Sequence, residues 1–142
     1  MDFKQTLEQR LINFSILVIE VINYLPDNRV GNHLGGQLLR SGTSPALHYG
    51  EAIDTESRKD FPRKLGAILK ELQQSYSCLK ILSKINYITR NDLALLECNE
   101  LISIFVKSIK PTKKNSNTPL IRKSHLANHN SQFKTQSSFS NI

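Results

Sequence analysis

The sequence predicts an all-α protein, an up-and-down antiparallel four-helix bundle with a disordered basic C-terminal tail. Three observations predict this fold. Apolar residues recur at alternating spacings of three and four in four segments, which is the period of an amphipathic helix. Short connections with breaking or capping residues separate these segments, so successive helices should be antiparallel neighbours. After Pro111 the chain is rich in Ser, Asn, Thr and Lys and sustains no apolar period. We therefore assign residues 1–110 to the bundle and residues 111–142 to the tail.

The first helix is predicted from about Gln5 to Leu25, and it carries two apolar stripes. The stripe that suits the bundle core consists of Leu7, Leu11, Phe14, Val18, Val21 and Leu25. Beside it lies a second stripe of Ile12, Ile16 and Ile19. Contiguous apolar patches that stay exposed usually mark an interface. Two interpretations are open: the isoleucines form an oligomer interface, or one broad face buries both stripes inside a single bundle.

The second helix is predicted to begin near Asn32, which is a good N-cap residue. It contains three glycines, Gly35, Gly36 and Gly42. Each costs ~1 kcal/mol relative to Ala, a cost that is tolerated where another backbone must come close. Pro45 lacks an amide donor and crowds the carbonyl of Ser41, so a kink is predicted there.

The start of the third helix has two interpretations. Ser57–Asp60 looks like a capping box with Asp in place of the commoner Glu, whereas Pro62 fits best at the first helical position. The second interpretation moves the helix start to Phe61 or Pro62, and the sequence does not choose between them. The apolar stripe of this helix consists of Leu65, Ile68, Leu72, Ser75, Leu79 and Leu82.

The fourth helix follows a turn in which Asn86 can adopt a left-handed conformation. Thr89–Asp92 forms another capping-box pattern, and Pro111 ends the helix. Its apolar stripe consists of Leu95, Cys98, Ile102, Phe105 and Ile109. Because Cys98 and Cys78 both lie on apolar helix stripes, we expect buried, reduced thiols.

The net charge of +7 is distributed unevenly along the 142 residues. Residues 1–110 contain 14 Lys and Arg against 12 Asp and Glu, which gives +2. The tail contains no acidic residue and five basic ones, which gives +5: Lys113, Lys114, Arg122, Lys123 and Lys134. A basic tail suits contact with a polyanion, and it equally suits a soluble, unstructured end.

A second basic group surrounds the turn before the third helix and extends into that helix: Arg58, Lys59, Arg63, Lys64 and Lys70. Asp60 and Glu71 interrupt it. The group is a candidate for phosphate contacts, and the alternative is an ordinary solvated face. The tail residues that are candidates for the same contacts are Lys113, Lys114, Arg122 and Lys123. Aromatic residues are poorly interleaved, which argues against sequence-specific single-strand binding.

No pattern in the sequence predicts a catalytic or metal centre. The four histidines share no helical face. Ser41, Thr43 and Ser44 resemble nucleophiles, but no base or orienting acid accompanies them, so close helix packing is the favoured explanation. We therefore expect no metal, no cofactor and no enzyme activity. No apolar run reaches the ~18 residues of a membrane span, so we expect a cytoplasmic protein without membrane association.

One set of residues stands in a specific order and spacing between Gly31 and Ile109. It consists of Gln37-Leu38-Leu39-Arg40-Ser41-Gly42-Thr43-Ser44, Ala46, Tyr49, Glu51-Ala52, Ser57-Arg58-Lys59-Asp60-Phe61, Lys64-Leu65 and Leu69-Lys70-Glu71-Leu72. On these residues the segment resembles the bacterial four helix bundle protein family, also called the 23S rRNA intervening-sequence protein family. The chain departs from the family at Pro62, where an aliphatic residue is usual, at His48, where Asn is common, and in its longer tail.

The resemblance implies a four-helix bundle without established catalytic activity that forms a ring-like homo-oligomer, a pentamer in characterised relatives. The family is similar to the accessory variability protein of diversity-generating retroelements, a basic ring associated with nucleic acid and a reverse transcriptase. We therefore expect a non-enzymatic oligomeric protein that contacts RNA or DNA, as an accessory or ribonucleoprotein component. The alternative is a structural or adaptor protein that binds another protein and no nucleic acid.

Structural roles are expected for five residues: Arg40, Pro45, Glu51, Asp60 and Glu71. A second turn centred near Thr55–Glu56 would place position 40 opposite position 71 or 72. Because a buried charge needs a partner, an ion pair between Arg40 and Glu71 is predicted.

Overall fold

The computed structural model of the chain describes residues 3–54 and 60–109. These residues form four helices and no strand: α1 Phe3–Tyr24, α2 Arg29–Asp54, α3 Phe61–Lys84 and α4 Leu93–Ile109. Each helix packs against the next, and α4 returns to pack against α1. The predicted all-α four-helix bundle is confirmed. The predicted tail, residues 111–142, lies outside the described residues, and its disorder stays a prediction.

The predicted stripes of α1 and α3 form most of the core. On α1 the buried residues are Leu7, Leu11, Phe14, Val18 and Val21, and on α3 all six predicted residues are buried. On α4 the predicted stripe also packs on the core, with Cys98 and Phe105 buried and Leu95, Ile102 and Ile109 half-buried, and the core extends further to buried Ala94 and Leu101. Apolar side chains surround most of α4, so their spacing alone does not define which side faces the core.

The start of α2 is fixed by Asn28 rather than by Asn32. The Asn28 Oδ1 atom accepts a hydrogen bond from the Gly31 backbone N–H at 2.7 Å, which is the N-cap arrangement. A Cβ atom at Gly31 would collide with the carbonyl oxygen of Pro26, so only glycine fits this turn. At the same end of the bundle, the Asn28 Nδ2 atom lies 3.3 Å from the hydroxyl of Tyr87 in the connection between α3 and α4.

The starts of α3 and α4 are determined by residues in their first turns and at their N-caps. Helix α3 begins at Phe61 with Pro62 in its first turn, so the second interpretation of its start is confirmed. The cap of α4 is Asp92 rather than Thr89, because the Asp92 Oδ1 atom accepts a hydrogen bond from the Ala94 N–H at 2.9 Å. As predicted, Asn86 takes a left-handed backbone conformation, with φ of 65°.

Helix α2 presents small residues to both of its neighbours. Gly42 faces α1, where an added Cβ would stand 2.8 Å from a methyl carbon of Val18. Ser41 faces α3, where its hydroxyl lies 2.8 Å from that of Ser75 and both side chains are buried. Pro45 is also buried, and α2 continues through it to Asp54. The small residues therefore let α1 and α3 approach α2 closely.

The predicted ion pair between Arg40 and Glu71 is wrong. The Glu71 Oε1 atom lies 3.2 Å from Nδ1 of His48, and Arg40 is exposed. Because Ser41 faces Ser75, α2 near position 40 meets α3 about one helical turn further along than predicted. Helix α3 begins only at Phe61, which is later than a turn centred at residues 55 and 56 would place its start.

A bidentate ion pair joins α1 to α4, and the sequence patterns do not reveal it. The Arg10 guanidinium donates to both carboxylate oxygens of Glu97, at 3.0 and 2.8 Å, and to Glu100 at 2.9 Å. These carboxylates raise the pKa of Arg10 further above its ordinary value. A partly exposed ion pair contributes to stability when, as here, an arginine binds a carboxylate through two parallel hydrogen bonds.

Two glycine substitutions should change stability in opposite directions. In Gly42→Ala the new methyl group presses on buried Val18, and overpacking of this kind costs about 1–3 kcal/mol, more than the ~1 kcal/mol gained in helix propensity. A Cβ added at Gly36 would have no heavy atom within 4 Å, so Gly36→Ala should stabilise by up to about 1 kcal/mol. Urea unfolding followed by circular dichroism measures both, and a stabilised Gly42→Ala variant would contradict the close packing.

Candidate nucleic-acid interface

The positive charge of the described helices is concentrated on α3. This helix contains five Lys and Arg residues and one acidic residue, Glu71. Helices α1 and α2 each contain two basic and two acidic residues, and α4 contains one basic and two acidic residues. The excess charge of the bundle therefore lies on one helix.

Four exposed polar residues follow one another at intervals of seven along the outer side of α3. They are Arg63, Lys70, Ser77 and Lys84, which we call the α3 ridge. Seven residues make nearly two helical turns, so successive members lie on almost the same side, ~10 Å apart. The ridge is therefore ~30 Å long.

Two carboxylates in the described part of the chain, Glu71 and Asp60, lie near Arg63 and Lys70, and neither is held firmly by the ridge. Glu71 lies on the side of α3 that faces α2, where it contacts His48. Asp60 lies 3.3 Å from the Arg63 guanidinium at the start of α3, but both side chains are exposed. Exposed pairs of this kind contribute about 0–1 kcal/mol, so phosphate can replace the carboxylate at Arg63.

The structure separates the basic residues that the sequence grouped together. Arg63 and Lys70 lie on the ridge, whereas Lys64 is half-buried and points ~100° away from Arg63 around the helix. Glu51 is exposed on α2. The remaining candidates lie outside the described residues: Arg58, Lys59, Lys113, Lys114, Arg122 and Lys123.

Sequence reasoning missed two lysines in the second half of α3. Lys84 completes the ridge. It follows Lys70 by two intervals of seven residues, and this spacing could have revealed it. Lys80 lies beside the ridge, with its Nζ atom 4.8 Å from the ring centre of Tyr76. Burial lowers the pKa of Lys80, and the charge of Lys84 lowers it further. The ammonium covers the aromatic ring, so Tyr76 does not offer an open stacking surface.

The hydroxyl side chains of Ser41, Thr43 and Ser44 serve helix packing and hydrogen bonding within the helix. Ser41 shares its buried hydroxyl with Ser75, while Thr43 and Ser44 donate to carbonyl oxygens one turn back, each at 2.7 Å. In residues 3–54 and 60–109, no group of three potential ligand side chains could hold a metal ion. Each of these hydroxyls therefore has a hydrogen bond that serves helix packing or the helix backbone.

Both cysteines are free and buried, as predicted. The Cys98 thiol contacts the Leu72 carbonyl oxygen at 3.3 Å, and the Cys78 thiol contacts that of Leu34 at 3.5 Å. Burial raises the pKa of both thiols, so they stay protonated and unreactive at neutral pH.

The three outer isoleucines of α1 remain at the surface of the single chain. Ile12, Ile16 and Ile19 are 39%, 48% and 42% exposed. The interpretation in which one broad face buries both stripes is therefore wrong. Nearby on the same helix, the Ser15 hydroxyl contacts the Gly42 carbonyl at 3.3 Å, which places the isoleucines on the outer side next to α2. None of the four described helices combines the length and the apolar character needed to cross a membrane.

The geometry defines an all-α four-helix bundle with one basic helix face and one apolar outer stripe. No protein-family model matches the chain, and no curated protein matches it. A solved structure is similar, that of a protein with unknown function from the S23 ribosomal protein family from Bacteroides thetaiotaomicron VPI-5482. The two share 27% identity and a TM-score of 0.67, over 73% of this chain and 98% of that chain.

Proposed function

We propose that the protein is a non-enzymatic, self-associating bundle that contacts RNA or DNA through the α3 ridge, as an accessory or ribonucleoprotein component. The observation that carries the proposal is the concentration of basic residues on the outer side of α3. The resemblance to the 23S rRNA intervening-sequence protein family and the similarity to a protein of the S23 ribosomal protein family support this setting.

The ridge suits contact with phosphates rather than with bases. Its charged residues are long and flexible, and the neighbouring Tyr76 ring is covered by Lys80. Single-strand binding without sequence preference usually needs open aromatic rings on which bases stack. A ridge of ~30 Å is close to one turn of a double helix, roughly 34 Å. In this proposal the ridge follows a nucleic-acid backbone, and the basic tail adds further phosphate contacts.

Self-association in this proposal uses the outer isoleucines, Ile12, Ile16 and Ile19. Their exposed side chains form an apolar stripe on α1 that a second copy can cover. Each copy in an assembly contributes one α3 ridge, so contacts that are weak singly add through avidity. A closed five-fold ring, which the family resemblance implies, is the form of assembly we propose.

A second candidate function is that of an adaptor that binds a protein, such as a reverse transcriptase, and no nucleic acid. The observation in its favour is a pair of exposed leucines at the start of α4. Leu93 is 66% exposed and Leu96 is 51% exposed. Such residues can anchor a protein partner, but they leave the charge of α3 without a role.

Removal of the ridge charges should reduce the salt dependence of nucleic-acid binding. We expect the triple variant Arg63→Gln/Lys70→Gln/Lys84→Gln to bind mixed RNA and DNA more weakly. Its slope of log K against log salt should be smaller by about 2–3, because each phosphate contact contributes ~0.7–0.9. Fluorescence anisotropy over a salt series, with and without residues 111–142, measures this slope.

The matched control removes the same number of charges from other parts of the bundle, in Arg29→Gln/Arg90→Gln/Lys107→Gln. Its slope should stay close to that of the unmodified protein. Equal losses in the two triple variants would show that net charge alone governs binding. Absence of binding by the full chain at low salt would favour the adaptor function.

The oligomeric state should depend on the outer isoleucines. We expect Ile12→Lys/Ile16→Lys to convert the assembly into folded monomers, because charged side chains cannot be buried in an apolar contact without a partner. Light scattering at micromolar concentration gives the mass, and circular dichroism reports the fold. An unmodified protein that is monomeric would contradict the assembly, and an unfolded double variant would contradict the role of these isoleucines as a contact between folded copies.

A further inference from the structure

A cleft of about 290 Å³ opens between α2 and α3, at the lower end of the size range of ligand sites, about 300 Å³. It is separate from the apolar stripe of α1. One wall comes from α2 with Leu34, Gln37 and Arg40, and the other comes from α3 with Gln74 and Ile81. The cleft therefore combines polar and apolar side chains from two helices.

Arg40 supplies the charge of this cleft. It is exposed on α2, and no carboxylate within residues 3–54 and 60–109 forms an ion pair with it. Glu71, the acidic residue of α3, is held by His48. A guanidinium can donate two parallel hydrogen bonds to a carboxylate or a phosphate group, which makes Arg40 a suitable anion ligand.

Neutral donors and acceptors stand on both walls. Gln37 on α2 and Gln74 on α3 line the cleft, and neither amide has a hydrogen-bond partner in the part of the chain that the structure describes. Ser41 is different, because its hydroxyl is already bound to Ser75. The two amides can therefore orient the polar group of a ligand beside Arg40.

The apolar side of the cleft is formed by aliphatic groups and a thiol. Ile81 is 49% exposed there, and Leu34 is half-buried. The buried Cys78 contacts the carbonyl oxygen of Leu34 at 3.5 Å. A short aliphatic chain would cover Ile81 and Leu34 and remove their surface from water.

We propose that the cleft between α2 and α3 binds a small organic anion, a carboxylate or phosphate group on a short aliphatic chain. The anionic group lies against Arg40 with Gln37 and Gln74, and the aliphatic chain lies along Leu34 and Ile81. This site borders the α3 ridge at Ser77, which also lines the cleft, but its charge comes from α2 and its ligand needs an apolar part.

The test uses hexanoate and hexyl phosphate as probes, with acetate, hexanol and hexylamine as comparisons. Titration of the full chain is followed by NMR shifts of the backbone amides of Gln37 and Gln74. We expect both hexyl anions to bind with Kd on the order of 1 mM. Acetate lacks the aliphatic chain and hexanol lacks the charge, so both should bind more weakly, and hexylamine should not bind.

The matched variants are Arg40→Gln and Arg29→Gln, two exposed arginines of α2 that differ in their distance from the cleft. Loss of a charge-assisted hydrogen bond should weaken binding to Arg40→Gln about tenfold or more, while Arg29→Gln should bind as the unmodified protein does. The proposal is overturned by equal binding of hexanol and hexanoate, by equal losses in the two variants, or by the absence of shifts at these amides.

Discussion

The close approach of α2 to both of its neighbours is the constraint on which the rest of the bundle depends. Gly42 leaves no space for a side chain against Val18 of α1, and the buried hydroxyls of Ser41 and Ser75 join α2 to α3. Glycine in a helix costs ~1 kcal/mol, and closer packing of the facing apolar side chains offsets this cost. The core side chains of α1 and α3 can then meet.

This packing determines which surfaces remain exposed. Because α3 turns its apolar stripe inward and Glu71 toward His48 of α2, its outer side keeps basic and neutral residues. The same arrangement leaves Ile12 and Ile16 on the outer side of α1. The bundle thus separates an apolar surface from a basic one, which suits self-association and polyanion contact on different faces.

The sequence predicted the parts of the fold that depend on local pattern. The stripes of α1 and α3 were predictable because both helices are amphipathic, so one side is clearly apolar. The stripe of α4 was predicted only in part: Leu95 and Ile102 do pack against the core, but the equally apolar Leu101 and the small Ala94 are buried more deeply. The Arg40–Glu71 pair failed because register depends on connection length, and a shift of about one turn beside Ser41 separates Arg40 from Glu71.

The candidate sites depend on relations over longer distances, which explains why the sequence showed them only in part. Arg63 and Lys70 were identified from the sequence. Lys84 lies on the same side as these residues only if α3 stays a regular helix from residue 63 to residue 84. The cleft beside Arg40 arises from the way α2 and α3 pack. No spacing within one helix could have shown that Gln37 and Gln74 line the same cleft.

Lysine modification with and without bound nucleic acid tests directly whether α3 contacts nucleic acid. The full chain is treated with a limiting amount of an acetylating reagent, alone and with a duplex RNA, and modification is quantified by mass spectrometry. We expect Lys70 and Lys84 to become protected together, while Lys107 on α4 keeps its reactivity. Equal protection of all three lysines, or protection of Lys107 alone, would contradict a nucleic-acid contact along α3.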